Sequence, residues 1–493
     1  MFRTRTLATA AVLLALSLLV AACGGGDDGG SGPDDSSGGG ESAEVDPSEC
    51  PLDALESADG PVDITIWYAY SGNTEIALQD MVEAYNASQD AVVVTAESQG
   101  TAYEELQRSF NSAIQGGDLP TIAIVEDTQN QFMADSGVVV PASACLEASG
   151  EDPGLLPGPV GYYTIEGVQW PGAFNMSSPV LYYNKGHFED AGLDPEDPPG
   201  TLDEVRAAAE AIQDAGVAET PFVFNMNPWF LETWLTGVGQ TLINEDNGRG
   251  GLATEATLDN DVFIGLLTWL QEMNDDGLMT PVPNTEGNID HYLALAQQNG
   301  SMGVETSTAA TTIESFLKGE LDPSQLSPDG RVVETDDLDL NLDIGAAPYP
   351  GIEEAGRVQV SGGAYELTNT GTPEQIAAGW DFITYLNTVP PQVVNNLVGS
   401  YIPTLPAAAG DAELLDTWET TLSGAMLATS SEQLGETDPN FPGPTMGPFT
   451  DERDILRTGL EDLLIAGTSP EDVAAAMQEQ LTQALADYEE QNF

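Results

Sequence analysis

The side chains with the clearest capacity for chemistry are three cysteines, two histidines and 81 carboxylates in a chain of 493 residues. The histidines, His187 and His291, stand beside no Gly-x-Ser-x-Gly nucleophile motif and in no His-Glu-x-x-His metal motif. Serine hydrolase and zinc protease chemistry are therefore not indicated, and no cofactor or metal is expected. Paired carboxylates could still act as acid and base, so an exported hydrolase acting on carbohydrates remains an alternative.

Cys23 follows a segment typical of exported proteins. Arg3 and Arg5 precede an apolar run over residues 7–22, and small residues stand directly before the cysteine. This pattern predicts a secretory signal peptide over residues 1–22. The run Val-Ala-Ala-Cys resembles the lipobox of bacterial lipoproteins, which implies that Cys23 is lipidated and begins the mature chain. An ordinary cleaved signal with an incidental cysteine is the alternative.

The next segment is too polar to fold on its own. Residues 24–49 contain nine glycines, five serines and eight acids. Such a composition cannot bury a core, so residues 23–60 are predicted to be a lipid anchor and a flexible tether. Gly24, Gly26 and Gly29 match the spacing of a dinucleotide-binding fingerprint. We reject that match because no strand precedes it and no helix follows.

Cys50 and Cys145 belong to a chain that is predicted to leave the reducing cytoplasm. A disulfide between them is therefore expected, and it would join the start of the folded body to the loop around Cys145. Metal ligation is the weaker alternative, because the cysteines and histidines form no Cys-x-x-Cys or His-x-x-x-His arrangement.

The charge of the chain limits its partners. Eleven Lys and Arg residues against 81 Asp and Glu residues give a formal net charge of −70. Nucleic acid is an unlikely partner, because binding a phosphate backbone needs a basic face that this chain cannot assemble. Such acidity suits a soluble surface in a saline or exposed medium, where counterions screen the repulsion. Hydrophobic residues make up 41% of the chain, which is enough for a sizeable core.

Apolar periodicity predicts the elements that position these side chains. From Val62 the chain alternates strand-like and helix-like patterns in the order β-α-β-α-β, up to a strand over residues 121–125. This order predicts a parallel sheet with helices on its faces. Ligands of such sheets bind at the carboxyl ends of the strands, here residues 68–72, 97–100 and 126–127.

A second group of elements begins near Phe174. Residues 177–184 are predicted to form a strand, and Thr201 with Glu204 forms a capping box that opens a helix reaching Ala215. Later segments are predicted as strands over 301–307 and 359–368 and as acidic helices over 451–466 and 470–490.

Several stretches resemble the extracellular solute-binding proteins of ABC importers. The most specific is FNMSSPVLYYNKGHFEDAGLDPEDPPGTLDEV, and GTAYEELQRSFNSAIQGGDLPTIAIVEDT, GSMGVETS, VSGGAYEL, GSYIPT and GPFTDERDIL add to it. The resemblance covers most of residues 62–490. It is strongest to the branch that binds sn-glycerol 3-phosphate and glycerophosphodiesters, which is itself near the maltose-binding proteins.

The resemblance implies an α/β fold with two lobes, the type II periplasmic-binding-protein fold. Each lobe would be a mixed, mostly parallel sheet flanked by helices, and the ligand cleft would lie between the lobes. The implied lobes are residues 61–175 with about 356–402, and about 176–355 with 403–493. The implied hinges lie near residues 172–180, 359–364 and 399–405.

The resemblance also implies which residues meet the ligand. They are Tyr103, Asp127, Ser177, Trp229, Ser307 or Thr308, the paired glycines Gly362 and Gly363, Tyr401 and Arg453. Glutamate is more usual than aspartate at the position of Asp127, and Glu126 is adjacent to it. Arg457, one helical turn after Arg453, is the alternative if the register differs.

These residue types suit a small polyhydroxylated ligand. Aromatic rings stack on the C–H faces of sugars and glycerol units, whereas hydroxyl groups need a few fixed donors and acceptors. Glycines let backbone N–H groups approach a ligand oxygen, and a guanidinium fork suits a phosphate. Arg453 could instead pair with its acidic neighbours on a solvated helix face.

The sequence thus predicts a binding protein and not an enzyme. We expect a lipid-anchored monomer on the outer face of the cytoplasmic membrane, which closes on its ligand and delivers it to the permease of an ABC importer. The preferred ligand is sn-glycerol 3-phosphate or a glycerophosphodiester. A neutral mono- or oligosaccharide is the runner-up.

Overall fold

The computed structural model describes residues 45–285, 290–320 and 342–493. In these ranges the chain forms two five-stranded sheets, one two-stranded sheet, and helices that pack on both larger sheets. The predicted signal peptide, Cys23 and most of the predicted tether lie outside the described residues. No helix within the described ranges is long and apolar enough to cross a membrane.

The strands are numbered in chain order. They are β1 Val62–Tyr68, β2 Val92–Ser98, β3 Ile122–Glu126, β4 Thr164–Ile165, β5 Val168–Gln169, β6 Ala173–Ser177, β7 Pro179–Asn184, β8 Thr220–Asn225, β9 Met279–Val282, β10 Gly300–Thr306, β11 Ile344–Pro348 and β12 Ser361–Leu367.

The α-helices of the described residues are numbered in the same way. They are α1 Asp53–Glu56, α2 Gly72–Ser88, α3 Tyr103–Gly116, α4 Asn130–Asp135, α5 Ala142–Ser149, α6 Pro157–Tyr162, α7 Lys185–Ala191, α8 Leu202–Ala215, α9 Pro228–Gly237, α10 Asn244–Asn247, α11 Asp261–Asp275, α12 Asp290–Ala296, α13 Ala309–Leu317, α14 Pro373–Leu386, α15 Val389–Leu397, α16 Pro406–Ala409, α17 Ala412–Thr420, α18 Leu422–Gly435, α19 Phe449–Leu464 and α20 Pro470–Asn492. Short 3-10 helices span Pro47–Glu49 and Asp127–Gln129.

The first sheet has the strand order β2-β1-β3-β12-β6. Strands β1, β2 and β3 run parallel, whereas β12 is antiparallel to β3 and β6. The predicted β-α-β-α-β order is therefore present. Apolar side chains cover both faces of this sheet, with Ile64 and Ile66 in one buried cluster and Ala123 and Val125 in another. We call this sheet and the helices packed on it lobe 1.

The second sheet has the order β11-β7-β10-β8-β9 and is also mixed. Strand β8 is parallel to β9 and β10, and β7 is antiparallel to β10 and β11. Its largest core joins Phe222 and Phe224 to Trp234 and to apolar faces of α11, α19 and α20. We call this sheet and its helices lobe 2.

The predicted strand over residues 177–184 is divided between the two sheets. Strand β6 ends at Ser177 in lobe 1, and β7 begins at Pro179 in lobe 2, with Ser178 as the link. The Ser307 N–H donates to the Ser178 carbonyl at 2.8 Å and holds this link against the end of β10. Ser177 and Ser178 interrupt the apolar pattern at this point, but nothing in the local sequence shows that the strand changes sheet there.

Local sequence signals set both ends of helix α8. The Thr201 Oγ1 accepts from the Glu204 N–H at 3.3 Å, and the Glu204 side chain accepts from the Thr201 N–H at 3.1 Å. This capping box begins α8 as predicted, and Gly216 with φ of 67° ends it.

A disulfide joins Cys50 to Cys145, with an S–S distance of 2.01 Å. Both residues are buried in the core of lobe 1. The bond attaches the beginning of the described chain to α5, as expected from the sequence.

Candidate functional site

A cavity of about 480 Å³ lies between the two lobes, near the carboxyl ends of β3, β8 and β9. Its lining in lobe 1 comes from α3 and the residues after β3: Tyr103, Glu104, Gln107, Arg108, Glu126, Thr128 and Gln129. Its lining in lobe 2 comes from the start of α9, the loop after β9, and α19: Asn227, Pro228, Asn284, Thr450, Arg453, Asp454 and Arg457. Both lobes therefore contribute to one space of the size that a small ligand needs.

Three arginines line this cavity. Arg108 lies on α3, and Arg453 and Arg457 lie one turn apart on α19. The whole chain has only eleven Lys and Arg residues, so three at one site is a strong local concentration of cationic side chains, which the lining acids Glu104, Glu126 and Asp454 equal in number. An anion in this cavity would meet guanidinium groups from both lobes.

Arg453 is held in place by buried carboxylates. Its Nε and Nη2 donate to the two oxygens of Glu232 at 3.0 and 3.3 Å, and its Nη1 lies 3.7 Å from Glu126 Oε1. Burial disfavours the charged guanidinium, but Glu232, Asp127 and Glu126 outweigh burial and keep the pKa of Arg453 above its usual value. Arg453 thus stays charged, and its two hydrogen bonds to Glu232 fix the orientation of the guanidinium plane.

Of the adjacent acids Glu126 and Asp127, Glu126 is the one that lines the cavity. Burial raises its pKa to about 7, Arg453 opposes this shift, and Asp127 adds to it. One Glu126 oxygen accepts from Thr128 Oγ1 at 2.9 Å. The contact of Glu126 with Arg453 joins the two lobes across the cavity, and so does a hydrogen bond of 3.3 Å from Gln129 Nε2 to Thr450 Oγ1.

Asp127, the predicted ligand contact, is occupied by protein donors. Its side chain is 2% exposed, and one oxygen accepts from Tyr162 Oη at 2.5 Å. The other oxygen accepts from Ser361 Oγ at 2.8 Å and from the Gly362 N–H at 3.3 Å. Asp127 therefore ties the start of β12 to the end of β3, next to the cavity lined by Glu126.

The structure brings Tyr103 and Tyr401 together around Tyr70. The ring of Tyr70 lies 6.0 Å from Tyr103 and 6.4 Å from Tyr401. Asn175 Nδ2 donates to Tyr70 Oη at 2.7 Å, and Tyr103 Oη lies 3.5 Å from the same Tyr70 oxygen. These three tyrosines form an aromatic wall, of which Tyr103 reaches the cavity.

The paired glycines permit close packing beside this wall. A Cβ on Gly362, whose φ is 151°, would lie 1.7 Å from the Asn175 carbonyl oxygen. A Cβ on Gly363 would lie 2.6 Å from Tyr70 Oη and 2.8 Å from Tyr103 Oη. Gly362 thus lets β12 approach β6, and Gly363 makes room for the tyrosine hydroxyls.

The predicted hydroxyl contacts lie at the crossing between the lobes. Ser177 Oγ donates to the Ser361 carbonyl at 3.1 Å, and Ser307 Oγ accepts from the Ser178 N–H at 3.2 Å. Thr308 precedes α13, and its hydroxyl pairs with Thr306 at 3.2 Å. These three residues are not among the side chains that line the cavity.

Trp229 is 4% exposed and packs in the lobe 2 core beside Phe230. Its Nε1 has no hydrogen-bond partner within the described ranges. Its two preceding residues, Asn227 and Pro228, line the cavity instead. The segment that carries Trp229 therefore borders the cavity, whereas the indole itself lies away from the cavity lining.

Sequence reasoning did not single out Arg108, Glu232, Gln129 or Asn284. The scarcity of basic residues was a signal that could have indicated Arg108, since every arginine in so acidic a chain is informative. Nothing in the local sequence marks Glu232, because its pairing with Arg453 spans 221 residues. Within the described ranges, no group of three or more His, Cys, Asp or Glu side chains is arranged to hold a metal ion.

Comparison with known families gives a match over most of the chain. The sequence model described as bacterial extracellular solute-binding protein matches residues 71–393. The sn-glycerol-3-phosphate-binding periplasmic protein UgpB of Rhizobium meliloti strain 1021 is 28% identical over 226 residues, which are 45% of this chain and 52% of that protein. UgpB of Pectobacterium atrosepticum is 27% identical over 239 residues, 47% and 53% of the two chains. The matched region thus spans about half the length of these relatives.

Solved structures with the same fold include binders of different ligands. UgpB from Mycobacterium tuberculosis in complex with glycerophosphocholine has a TM-score of 0.65 at 18% identity, covering 88% of this chain and 100% of that one. The cyclic alpha-maltosyl-1,6-maltose binding protein of Arthrobacter globiformis has a TM-score of 0.69 at 20% identity, covering 87% and 100%. These similarities confirm the predicted two-lobed fold.

Proposed function

The chain belongs to the family of bacterial extracellular solute-binding proteins, and we propose that it is the substrate-binding subunit of an ABC importer for sn-glycerol 3-phosphate or a glycerophosphodiester. The observation that carries the choice of ligand is the convergence of Arg108, Arg453 and Arg457 on one cavity in a chain with a net charge of −70. A neutral sugar needs no such concentration of guanidinium groups, whereas a phosphate does.

The position of the cavity supports capture by closure of the lobes. The ligand would lie where Glu126 of lobe 1 already meets Arg453 of lobe 2. A phosphate on Arg453 would therefore touch both lobes and stabilise the closed arrangement, which the permease would recognise. The lobes are linked through Ser178, the segment before β12, and the segment after Ile402, and these are the proposed hinges.

A zwitterionic diester suits the charges that line the cavity. Glu104, Glu126 and Asp454 stand beside the three arginines, so the lining carries both signs. A diester with a cationic choline could place its phosphate on the arginines and its ammonium near Glu104 or Asp454 or over Tyr103. We therefore expect glycerophosphocholine to bind more tightly than the dianionic monoester.

A neutral sugar is the second candidate ligand. The aromatic wall of Tyr70, Tyr103 and Tyr401 favours it, because flat rings stack on sugar faces. No catalytic step is proposed for either ligand.

The proposal also includes lipidation of Cys23. Intact mass of the exported protein tests this point, since an unmodified and uncleaved N-terminus would contradict it.

The test is calorimetric titration with sn-glycerol 3-phosphate, glycerophosphocholine and maltose. Arg453→Ala alone is unsuitable, because it would leave Glu232 buried without its cation, at a cost to stability of about 3–5 kcal/mol. The double variant Glu232→Gln/Arg453→Gln removes both charges, and it should weaken binding of the phosphates by about 2–5 kcal/mol. Arg357→Gln is the matched control, since Arg357 is exposed and pairs with Glu354 instead of lining the cavity. Binding of maltose with no heat from either phosphate would reject the proposed ligand and favour the sugar.

A further inference from the structure

Arg453 stands among more carboxyl groups than one guanidinium can neutralise. Glu232 and Glu126 contact it directly, and Asp127 and Glu452 adjoin the same group. Four ionised carboxylates around one cation would leave a large uncompensated negative charge in a poorly solvated site, which is strongly unfavourable. Burial therefore favours the protonated form of a carboxyl group in this cluster that lacks a cation or donor of its own.

Glu452 is the carboxyl group whose surroundings most favour the neutral form. It is fully buried, and neither of its oxygens has a hydrogen-bond partner in the part of the chain that the structure describes. Burial, followed by the charge of Glu232, raises the pKa of Glu452 well above its usual value. Glu232 is the carboxyl group that accepts two hydrogen bonds from Arg453, and Gln359 Nε2 donates a third to it at 2.7 Å.

Glu126 differs from the other three carboxyl groups because it faces the cavity. Its side chain is 31% exposed, its contact with Arg453 is the long one at 3.7 Å, and burial raises its pKa to about 7. Asp127, by contrast, is taken up by three protein donors. The charged and titratable groups around Glu126 are Tyr103, Glu104 and Arg108 from α3, Asp127 from the 3-10 helix after β3, and Arg453, Asp454 and Arg457 from α19.

We propose that an anionic ligand enters this cavity together with a proton, which the carboxyl group of Glu126 takes up. This inference rests on the proposed function, because it needs an anion beside Arg453. The ligand competes with Glu126 for the guanidinium and also adds a negative charge near the carboxylate. Both changes favour the protonated carboxyl group.

The sign of the pH dependence follows from this argument. The bound protein holds more protons than the free protein near neutral pH, so the affinity for the anion rises as pH falls. With a pKa of about 7 for Glu126 in the free protein, the increase in affinity for the anion is nearly complete below pH 6. Each pH unit above 7 weakens binding by up to about tenfold.

Glycerophosphocholine is the right probe for this linkage. A phosphate monoester has its own second pKa of about 6 and would take up protons by itself, whereas a diester has no ionisation in this range. Any proton taken up with the diester therefore belongs to the protein.

The experiment is calorimetric titration of the full protein with glycerophosphocholine in two buffers of different ionisation enthalpy. At pH 7 the heats should differ by the amount that corresponds to uptake of roughly half a proton, and binding at pH 6 should be about tenfold tighter than at pH 8. Glu126→Gln should bind with no dependence on buffer, whereas Glu126→Asp should retain proton uptake with a shifted pH profile. Glu479→Gln, an exposed change on α20, is the control that should behave like the unchanged protein.

The outcomes separate this inference from the proposed function. Binding with the same heat in both buffers overturns proton uptake and leaves the proposed function intact. A pH dependence that persists in Glu126→Gln overturns the assignment to Glu126. If neither glycerophosphocholine nor sn-glycerol 3-phosphate binds at any pH, the proposed function fails and this inference fails with it.

Discussion

At the scale of single residues, the location of a carboxyl group decides its chemistry. Asp127 and Glu366 are both almost completely buried in lobe 1. Asp127 accepts three hydrogen bonds, whereas neither oxygen of Glu366 has a partner among the residues that the structure describes. Burial accordingly raises the pKa of Glu366 to about 8. Glu366 is therefore a point of pH-dependent instability within the first sheet.

We expect Glu366→Gln to change the pH dependence of the free energy of unfolding. Because the folded-state pKa is raised above the unfolded value of about 4.3, the stability contribution is complete below that value and is lost as pH rises to about 8. Glu366→Gln should exceed the unchanged protein by about 1 kcal/mol near pH 5 and by about 5 kcal/mol near pH 8.5. Urea unfolding at the two pH values measures this difference. If Glu366→Gln instead lowers the free energy of unfolding equally at both pH values, the glutamate side chain is needed for packing, and its ionisation does not control stability.

At the scale of elements, β12 lies between β3 and β6 within the first sheet. Gly362 donates its N–H to Asp127, and its carbonyl accepts from Tyr163 Oη at 3.3 Å. The same residue has a φ of 151° and lies against the backbone of Asn175. Gly362 thus connects β12 to Asp127 beside the cavity. The geometry of the cavity therefore depends on the register of β12.

Gly362→Ala should therefore destabilise the protein by more than an ordinary core substitution. Its Cβ would collide with a backbone carbonyl, which cannot turn aside as a side chain can, and its φ is unfavourable for alanine. We expect a loss of about 2–4 kcal/mol in the free energy of unfolding. Gly435→Ala is the control, because a Cβ there meets nothing within 4 Å at the end of α18. Equal stability of the two variants in urea would show that β12 can shift without cost.

At the scale of the whole molecule, the dominant property is the excess of negative charge. Acids compete for the few cations, as at Arg206, whose guanidinium contacts Glu210, Glu272 and Asp276. Most of the 81 acids have no cation to pair with, since the chain has eleven Lys and Arg residues. Their mutual repulsion opposes the compact state and is screened by salt.

The melting temperature should accordingly rise with ionic strength. Between 0.05 and 1 M NaCl the screening length falls to about 3 Å, which removes most of the repulsion between surface carboxylates. We expect an increase of several degrees, most of it below about 0.3 M, measured by differential scanning calorimetry. Sucrose at matched osmolality is the control, because it stabilises by exclusion and not by screening. A melting temperature that is constant or falls over the low-salt range would contradict the electrostatic account.

Features that follow from local patterns or from the counts of a residue type were predictable from the sequence. The capping box at Thr201 begins α8, the βαβαβ pattern from Val62 forms three strands of the first sheet, and Cys50 pairs with Cys145. Each of these follows from local hydrogen bonding, from apolar periodicity, or from the small number of cysteines. The resemblance to solute-binding proteins also indicated the two-lobed fold.

Features that depend on distant parts of the chain were settled only by the tertiary structure. Three features belong to this class. They are the division of one predicted strand at Ser178, the pairing of Arg453 with Glu232, and the position of Glu126 and not Asp127 in the cavity lining. The first two features depend on residues that lie far apart in the sequence. The third depends on the different partners that two adjacent acids contact in the folded chain. Apolar periodicity determines which side of an element is buried, but the partner on that side is determined by how the lobes pack.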